Sequence, residues 1–306
     1  MLAHEALRIV LIDCNEPVVT GYKLFVRLAG LYRQRKFQGE DLELKRACPN
    51  RYDYRRVVSL LVKQRYLQPD MDFFGRITPS TTPEMMAHSP VFRVIDVPDG
   101  VAEDITALVD PFCYVSHLSA MQRYGLTNRS PEALTLSTPA AWKDAALARM
   151  RSDYGDIGAP GQYRFPLSRI EWPEIVRRRA IAFHKTNRTP LLRDIRDSFA
   201  RIAAVGETFV QTLDRPELCG GMDHVVEVWE EHAKTYLREI IPAVERAPEK
   251  IIKVRAGYLL DERLGIHDAR IDSWTQYAQS GGSQRLDPTK PFINSRSEKW
   301  MISLNV

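Results

Sequence analysis

Cysteine is scarce in this chain of 306 residues, and Cys14, Cys48, Cys113 and Cys219 lie far apart with no CxxC among them. A structural zinc site gathers soft ligands at short spacings, and a disulfide framework belongs to small secreted domains, so four reduced thiols are expected. No apolar run approaches the roughly 18–20 residues that a bilayer span requires. The opening MLAHEALRIVLIDCNEP has no basic n-region, no long apolar stretch and no small-residue cleavage site, which leaves no secretion signal to read. The expectation is a soluble, cytoplasmic protein without membrane partners.

Catalytic signatures are missing too. Ser116-His117 are sequence neighbours, but a nucleophile and its base are paired in space, and no GxSxG elbow is present. Gly220-Gly221 stands without a GxxxxGK[ST] loop and reads as a chain reversal before a helix capped by Asp223. His224, Glu227 and Glu231 share one helical face, yet first-row metals draw ligands from more than one element, so these residues read as the solvated side of a helix. Glu230 and Lys234 make an i, i+4 pair on the same helix. No catalytic residue, cofactor or metal is assigned, and the chain is expected not to be an enzyme.

What is present is the composition of a globular protein, 44% hydrophobic and 27% charged, at a length that accommodates two domains. The net charge of +4 is unevenly placed. Residues 1–80 hold 14 Lys and Arg against 9 Asp and Glu, whereas the remainder is close to neutral. Phosphate neutralisation supplies most non-specific affinity for DNA, so a clustered excess points to a nucleic-acid-binding end. The competing explanation for a charge-rich face is plain solvation.

Periodicity predicts three helices in that end. The first spans His4 to Cys14. The second runs from Gly21 to about Lys36, with Leu24, Phe25, Leu28, Leu31 and Tyr32 on its apolar side and Arg33, Arg35 and Lys36 at an exposed basic end. The third runs from Arg51 to Arg65, capped by Asn50, with Asp53 in its first turn. Val57, Leu60 and Leu61 form its core side. Tyr52, Arg56, Ser59 and Lys63 recur at +4, +3 and +4 on the opposite stripe, flanked by Arg55. Arg reaches guanine O6 and N7 in the major groove and Tyr reaches phosphate or sugar, so this is the predicted recognition helix. Tyr66-Leu67, a turn around Gln68-Pro69-Asp70, and Phe73 to Thr78 then read as a two-stranded wing. Asp70 and Asp72 near its tip would be repelled by phosphates, which leaves the wing a minor share through Arg76.

The predicted fold class is α+β: a winged helix-turn-helix over 1–80, a linker and connecting segment over 81–104 that holds a strand at Val91 to Ile95, and a larger mixed α/β domain over 105–306. In the last, Gly125 is expected to end a helix, Thr138-Pro139 to open one, and strands are expected at Tyr163 to Phe165 and Ala180 to His184.

The segments YVSHLSAMQRYGLTN, RIAAVGETFVQTLDRPELCGGMDHVVEV and LGIHDARIDSW, with Leu213 to Gly221, Leu286-Asp287-Pro288 and Trp300 as the most specific stretches, resemble the AbiEi-type antitoxins of bacterial type IV toxin–antitoxin systems of phage defence. The resemblance covers most of residues 105–306. It implies an N-terminal domain that represses its own operon by binding inverted repeats in promoter DNA. It also implies a C-terminal domain that counters a nucleotidyltransferase-like toxin without a stable complex. The N-terminal quarter departs from the family's commoner pattern in its long second helix and in FFGRITP where a more basic wing stands. Asp214, Arg215 and Glu217 are the candidate antitoxin surface, against the alternative of a structural turn punctuated by Pro216 and Gly220-Gly221. A stand-alone transcriptional regulator without a toxin partner is the second functional class.

Overall fold

Helical runs alternate with short β-branched segments, and the chain folds as a mixed α+β protein. The computed structural model describes residues 1–74, 82–155, 163–279 and 284–306, without the side chains of Pro83 and Glu84. In chain order the elements are α1 (Ala3–Asp13), β1 (Val18–Thr20), α2 (Gly21–Gln34), β2 (Lys36–Phe37), β3 (Glu40–Asp41), α3 (Arg51–Lys63), β4 (Leu67–Pro69), α4 (Met71–Phe74), α5 (Pro83–Met86), β5 (Val91–Val94), α6 (Ala102–Val109), β6 (Tyr114–Val115), α7 (His117–Arg123) and β7 (Leu134–Pro139). They continue with α8 (Trp142–Tyr154), β8 (Ile175–Val176), β9 (Arg179–Thr186), β10 (Leu192–Asp194), β11 (Arg201–Ala203), α9 (Val205–Asp214), α10 (Met222–His232), α11 (Leu237–Arg246), α12 (Lys250–Gly257), α13 (Ala269–Ser273), β12 (Arg296–Ser297) and β13 (Ile302–Ser303). Two compact units emerge. The first comprises Met1–Cys113, Pro139–Ile181 and Asp197–Ala200, and the second Tyr114–Thr138, Ala182–Arg196 and Arg201–Val306.

In the first unit the helix ends follow from local chemistry. Thr20 Oγ1 accepts the Lys23 amide at 3.3 Å and opens α2. Arg35 then takes a left-handed φ of 57° and stops the helix at Gln34, short of the expected Lys36, which pairs instead with Asp41 in a small hairpin. That hairpin turns through Gln38 and Gly39, both at positive φ, as a tight two-residue turn requires. Asn50 and Asp53 form a reciprocal cap on α3: Asn50 Oδ1 accepts the Asp53 amide at 2.9 Å, and Asp53 Oδ2 accepts the Asn50 amide at 3.1 Å.

Strands β1, β5 and β4 form an antiparallel sheet in that order, with Val18 opposite Arg93 and Leu67 opposite Val94. The two-stranded wing expected over Tyr66 to Thr78 is not formed as predicted where the structure describes it, and residues 75–78 of its second strand lie outside the described residues. Gln68-Pro69 belongs to β4 rather than to a turn, its partner is β5 some twenty residues on, and Phe73-Phe74 lies in the short α4 instead of a strand. The segment read as a connection over 81–104 therefore holds the middle strand of this sheet.

The core of the first unit contains Leu7, Leu24, Phe25, Leu28, Val58, Leu61 and Phe92, all essentially inaccessible. Phe25 packs against Tyr54, Tyr154, Tyr163 and Phe165 at ring-centre distances of 5.9, 6.2, 5.3 and 6.0 Å. Residues more than a hundred positions away thus complete the apolar face of α2. The expected strand at Tyr163 to Phe165 is irregular chain held by these rings, with the Tyr154 hydroxyl donating to the Phe165 carbonyl at 2.9 Å.

The second unit is built around α9, whose residues Val205 to Leu213 are all buried. A helix buried on every side occupies a central position, and its polar Glu207 and Gln211 are answered by Arg246 and the His117 amide. Gly206 makes this possible, since a Cβ there would come within 2.1 Å of the Glu239 carbonyl oxygen on α11. Trp229 on α10 stacks edge-on to Phe209 at 5.3 Å and donates its indole N–H to Thr212 Oγ1 at 2.9 Å. Near the C-terminus Trp300 is fully buried and bonds Asp261 Oδ2 at 3.0 Å. Of the expected features, the strand over 180–184 lies within β9 and Gly125 follows α7 at φ +69°. Thr138-Pro139 ends β7 rather than opening a helix, and α8 starts at Trp142.

Candidate nucleic-acid interface and an enclosed polar cavity

The stripe predicted on the third helix is where the spacing placed it. On α3, Arg51, Tyr52, Arg55, Arg56 and Lys63 are exposed and Ser59 is half-buried, while Asp53, Tyr54, Val57, Val58, Leu61 and Val62 face the core. Leu60, expected in the core, is half-buried, and Tyr54 takes the more central place. Tyr52 is 69% exposed, a large exposure for an aromatic side chain with no structural task. Arg51, Arg55 and Arg56 form no ion pair with any described residue. Arg33 and Arg35, at the end of α2, are likewise exposed and unpaired among the described residues. Lys36 lies across the hairpin from Asp41, 3.6 Å apart and in solvent.

Beside α3 a groove of about 360 Å³ has His4, Tyr32, Glu43, Lys45, Asp53 and Arg56 as its polar lining. His4 and Lys45 are cationic or polar neighbours of Arg56 that the helical stripe alone did not reveal. Arg76, the predicted wing contact, lies outside the described residues. The two carboxylates expected to repel phosphate are engaged internally. Arg177, in the β8–β9 turn, bonds Asp70 Oδ2 at 2.5 Å, pairs with Asp72, and reaches Asp99 Oδ2 at 3.0 Å. Their charge is spent on holding this turn, where Arg177 and Arg178 both have positive φ.

In the second unit Asp214 and Arg215 line a cavity of about 250 Å³, together with Tyr114, His117, His184 and Arg188. Glu217 stands beside it and bonds Arg215 Nε. The three residues chosen from the sequence are therefore part of a lined hollow and its rim, and the turn that follows is structural as well. Pro216–Cys219 forms one 3-10 turn closed by Gly220 at φ +91°, where a Cβ would meet His224 at 2.9 Å.

Ion pairs and hydrogen bonds organise the cavity wall. Arg188 pairs with Glu249 and stands 3.7 Å from Asp214 Oδ2. Burial raises the Asp214 carboxyl above its ordinary value, against the pull of Arg188. Glu207 is held by Arg246 at 2.8 Å. His117 has a left-handed φ of 50°, and its amide donates to Gln211 Oε1 at 3.0 Å. Its Nδ1 lies 2.9 Å from Ser116 Oγ, which in turn lies 2.8 Å from Ser137 Oγ. Burial, then His184 and Arg215, lower the His117 imidazole to about 3, so the ring is neutral at pH 7. His184 is lowered by burial and Arg215, and its ring centre is 5.6 Å from that of His117.

The sequence reading set Ser116-His117 aside and did not single out His184, Arg188 or Gln211. No spacing rule links them, because they come from the start of α7, from β9, from α9 and from the loops between. Ser116 itself has no exposed surface, which is poor placement for a nucleophile.

On α10, His224 is buried rather than solvated, with Nε2 3.0 Å from Thr127 Oγ1 and Nδ1 3.4 Å from Glu227. Glu230 bonds Arg263 at 2.9 Å instead of pairing with Lys234. Gly221, not Asp223, occupies the N-cap, and Asp223 meets Lys290 at 3.2 Å. Among the described residues no group of three His, Cys, Asp or Glu is arranged to hold a metal ion, and no helix is long and apolar enough to cross a membrane. None of the four cysteines, all among the described residues, forms a disulfide.

No family model matches the chain, and no curated protein does. Among solved structures it is similar to the RV2827C protein from Mycobacterium tuberculosis, at 13% identity and a TM-score of 0.46, over 98% of this chain and 90% of that one.

Proposed function

We propose that the chain is a DNA-binding transcriptional repressor and antitoxin: it autoregulates its operon by binding inverted repeats through α3, and it counteracts a nucleotidyltransferase-like toxin through its second unit. The observation that carries the DNA-binding half is the row of exposed arginines on α3, unpaired among the described residues, on a helix whose opposite side is locked into a core. Such cations are solvated in the unbound protein, so a phosphate or a guanine edge gains them without breaking an internal bond. The order α1-β1-α2-α3-β4-β5, with the sheet running β1-β5-β4, supports a winged helix-turn-helix in which α3 enters the major groove. The connection between α2 and α3 departs from a plain helix-turn-helix, whose turn has roughly 3–4 residues. Here it carries the β2–β3 hairpin and, beyond it, Lys45, which lines the groove beside Arg56. The antitoxin half rests on the sequence resemblance, and this reading makes the chain a binding protein without a catalytic step.

The test uses the full chain beside its upstream DNA and the adjacent gene. Tyr52→Ala with Arg56→Ala is expected to relieve repression of a promoter reporter while leaving growth protection intact on co-expression with the neighbouring toxin. Repression at wild-type strength would contradict the DNA-binding half. Loss of protection from a stably folded variant would contradict the division of labour.

A further inference from the structure

The cavity of the second unit shows an imbalance between its acceptors and its donors. Each carboxylate in its wall is already matched, Asp214 and Glu249 by Arg188 and Glu207 by Arg246. The donors are not. Arg215 uses Nε on Glu217, leaving both Nη groups without an acceptor among the described residues. His184 and Lys185 line the same space and have no hydrogen-bond partner among the described residues.

His117 lines the same cavity, and one of its tautomers supplies a further donor. Ser137 Oγ donates to Ser116 Oγ, and Ser116 Oγ then has one hydrogen to give. The Thr135 carbonyl, 3.5 Å away, already accepts the Ser116 amide at 3.0 Å, whereas His117 Nδ1 is only 2.9 Å away. In the tautomer with Nδ1 accepting from Ser116, the ring hydrogen is on Nε2, which has no partner among the described side chains. A non-glycine residue at left-handed φ costs of order 1–3 kcal/mol and persists only where its surroundings enforce it. Here Gln211 and the two serines enforce it, and the result is an imidazole fixed in the cavity wall.

We propose that this cavity binds a small phosphate-type oxyanion, held by His117 Nε2–H, His184 and the Nη groups of Arg215, with Lys185 at the rim. A tetrahedral oxyanion offers acceptor oxygens in several directions and meets donors from β9, the start of α7 and the end of α9 together. A carboxylate offers two oxygens in one plane and leaves some of these donors unmatched. The site is independent of DNA binding by the first unit.

A pH signature follows. The groups facing the two imidazoles are Arg215, Glu217, Lys185, Tyr114, Glu207, Gln211, Asp214 and Arg188, and the carboxylates among them are paired with arginines. Without an anion both rings are held below their ordinary value, His117 by burial, His184 and Arg215, and His184 by burial and Arg215. An arriving anion favours their charged forms, so binding takes up protons and strengthens as pH falls.

Titration calorimetry of the full chain with sulfate, inorganic phosphate and phenyl phosphate tests this. Sulfate does not titrate in the neutral range, so proton uptake measured with it in buffers of different ionisation heat belongs to the protein. Expected is one-to-one binding that tightens several-fold from pH 8 to pH 6 with net proton uptake, and that weakens about tenfold or more in His184→Gln and in Arg215→Gln. Phenyl phosphate binding more tightly than inorganic phosphate would assign the site to a monoester, and the reverse order would assign it to the bare ion. Absence of binding by all three anions at millimolar concentration would overturn the proposal. So would affinity that ignores pH, or that is unchanged in both variants while their circular dichroism is native.

Discussion

The arginines of α3 and those of the second unit are used in opposite ways. Arg51, Arg55 and Arg56 stand in solvent without a carboxylate among the described residues, on a helix anchored from behind by Tyr54, Val58 and Leu61. Arg188, Arg246, Arg255 and Arg263 are each turned onto an acceptor of their own fold. A guanidinium facing water contributes little to stability, since even paired surface charges are worth about 0–1 kcal/mol. A buried one bonded to carbonyls is part of the scaffold. The contrast teaches that composition alone does not tell cations left in solvent from cations used by the fold. On α3 much of the Lys and Arg excess of residues 1–80 is left in solvent, whereas the second unit has turned most of the arginines named here onto its own acceptors.

The comparison breaks most sharply at the cores that support each set. Phe25 is 1% exposed and holds together Tyr54 of α3 and the distant Tyr154, Tyr163 and Phe165. Phe25→Ala is expected to cost about 3–5 kcal/mol in urea unfolding, in the range of large-to-small core substitutions. A fragment of residues 1–80 lacks three of the four aromatic partners and is expected to show no cooperative transition. A sigmoidal unfolding curve from that fragment would place the core of α2 elsewhere.

A smaller effect separates spent from unspent arginines directly. Arg255 donates Nη1 to the Leu213 carbonyl at 2.7 Å and Nε to the Arg285 carbonyl at 3.0 Å. Arg255→Leu strands these acceptors and is expected to destabilise by about 1–3 kcal/mol for each one left buried. Arg55→Ala is expected to change stability by less than about 0.5 kcal/mol. Equal effects of the two in the same denaturant titration would erase the distinction.

How much of this was legible in the sequence depends on the range over which each feature is set. The α3 stripe and the Asn50–Asp53 cap are local, so a helical period and two residue types were enough to place them. The end of α2 was misplaced by two residues because the left-handed turn at Arg35 carries no glycine to announce it. The wing was misregistered because the partner of β4 is β5, beyond the segment where a short hairpin was sought. The cavity was hardest to see. Asp214 and Arg215 were chosen with the LDRPELCGG stretch, but His117, His184 and Arg188 meet them only through folding. The charges of Asp70 and Asp72, expected to repel phosphate, are likewise answered by Arg177, a partner over a hundred residues away.

The smallest expected effect is a dependence on pH. Burial, with His184 and Arg215, lowers His117 to about 3 from an ordinary value of 6.5. Between those values the unfolded chain binds a proton that the folded chain refuses, so stability falls as pH is lowered through this window and is insensitive to His117 above it. The slope from this one group is at most roughly 1.4 kcal/mol per pH unit. His117→Asn is expected to flatten the curve below pH 6 relative to wild type, and a wild-type slope in that variant would assign the dependence to other groups.

The central claim is that unspent arginines on α3 hold DNA, and its most direct test is a fluorescence-anisotropy salt titration of the full chain on its upstream duplex, wild type against Arg55→Ala/Arg56→Ala. The account predicts that wild-type affinity falls steeply with salt. It predicts that each arginine bonded to a base costs about 1–3 kcal/mol of binding when removed, with the unfolding midpoint unchanged. A double variant that binds the duplex as tightly as wild type across the salt series would contradict it.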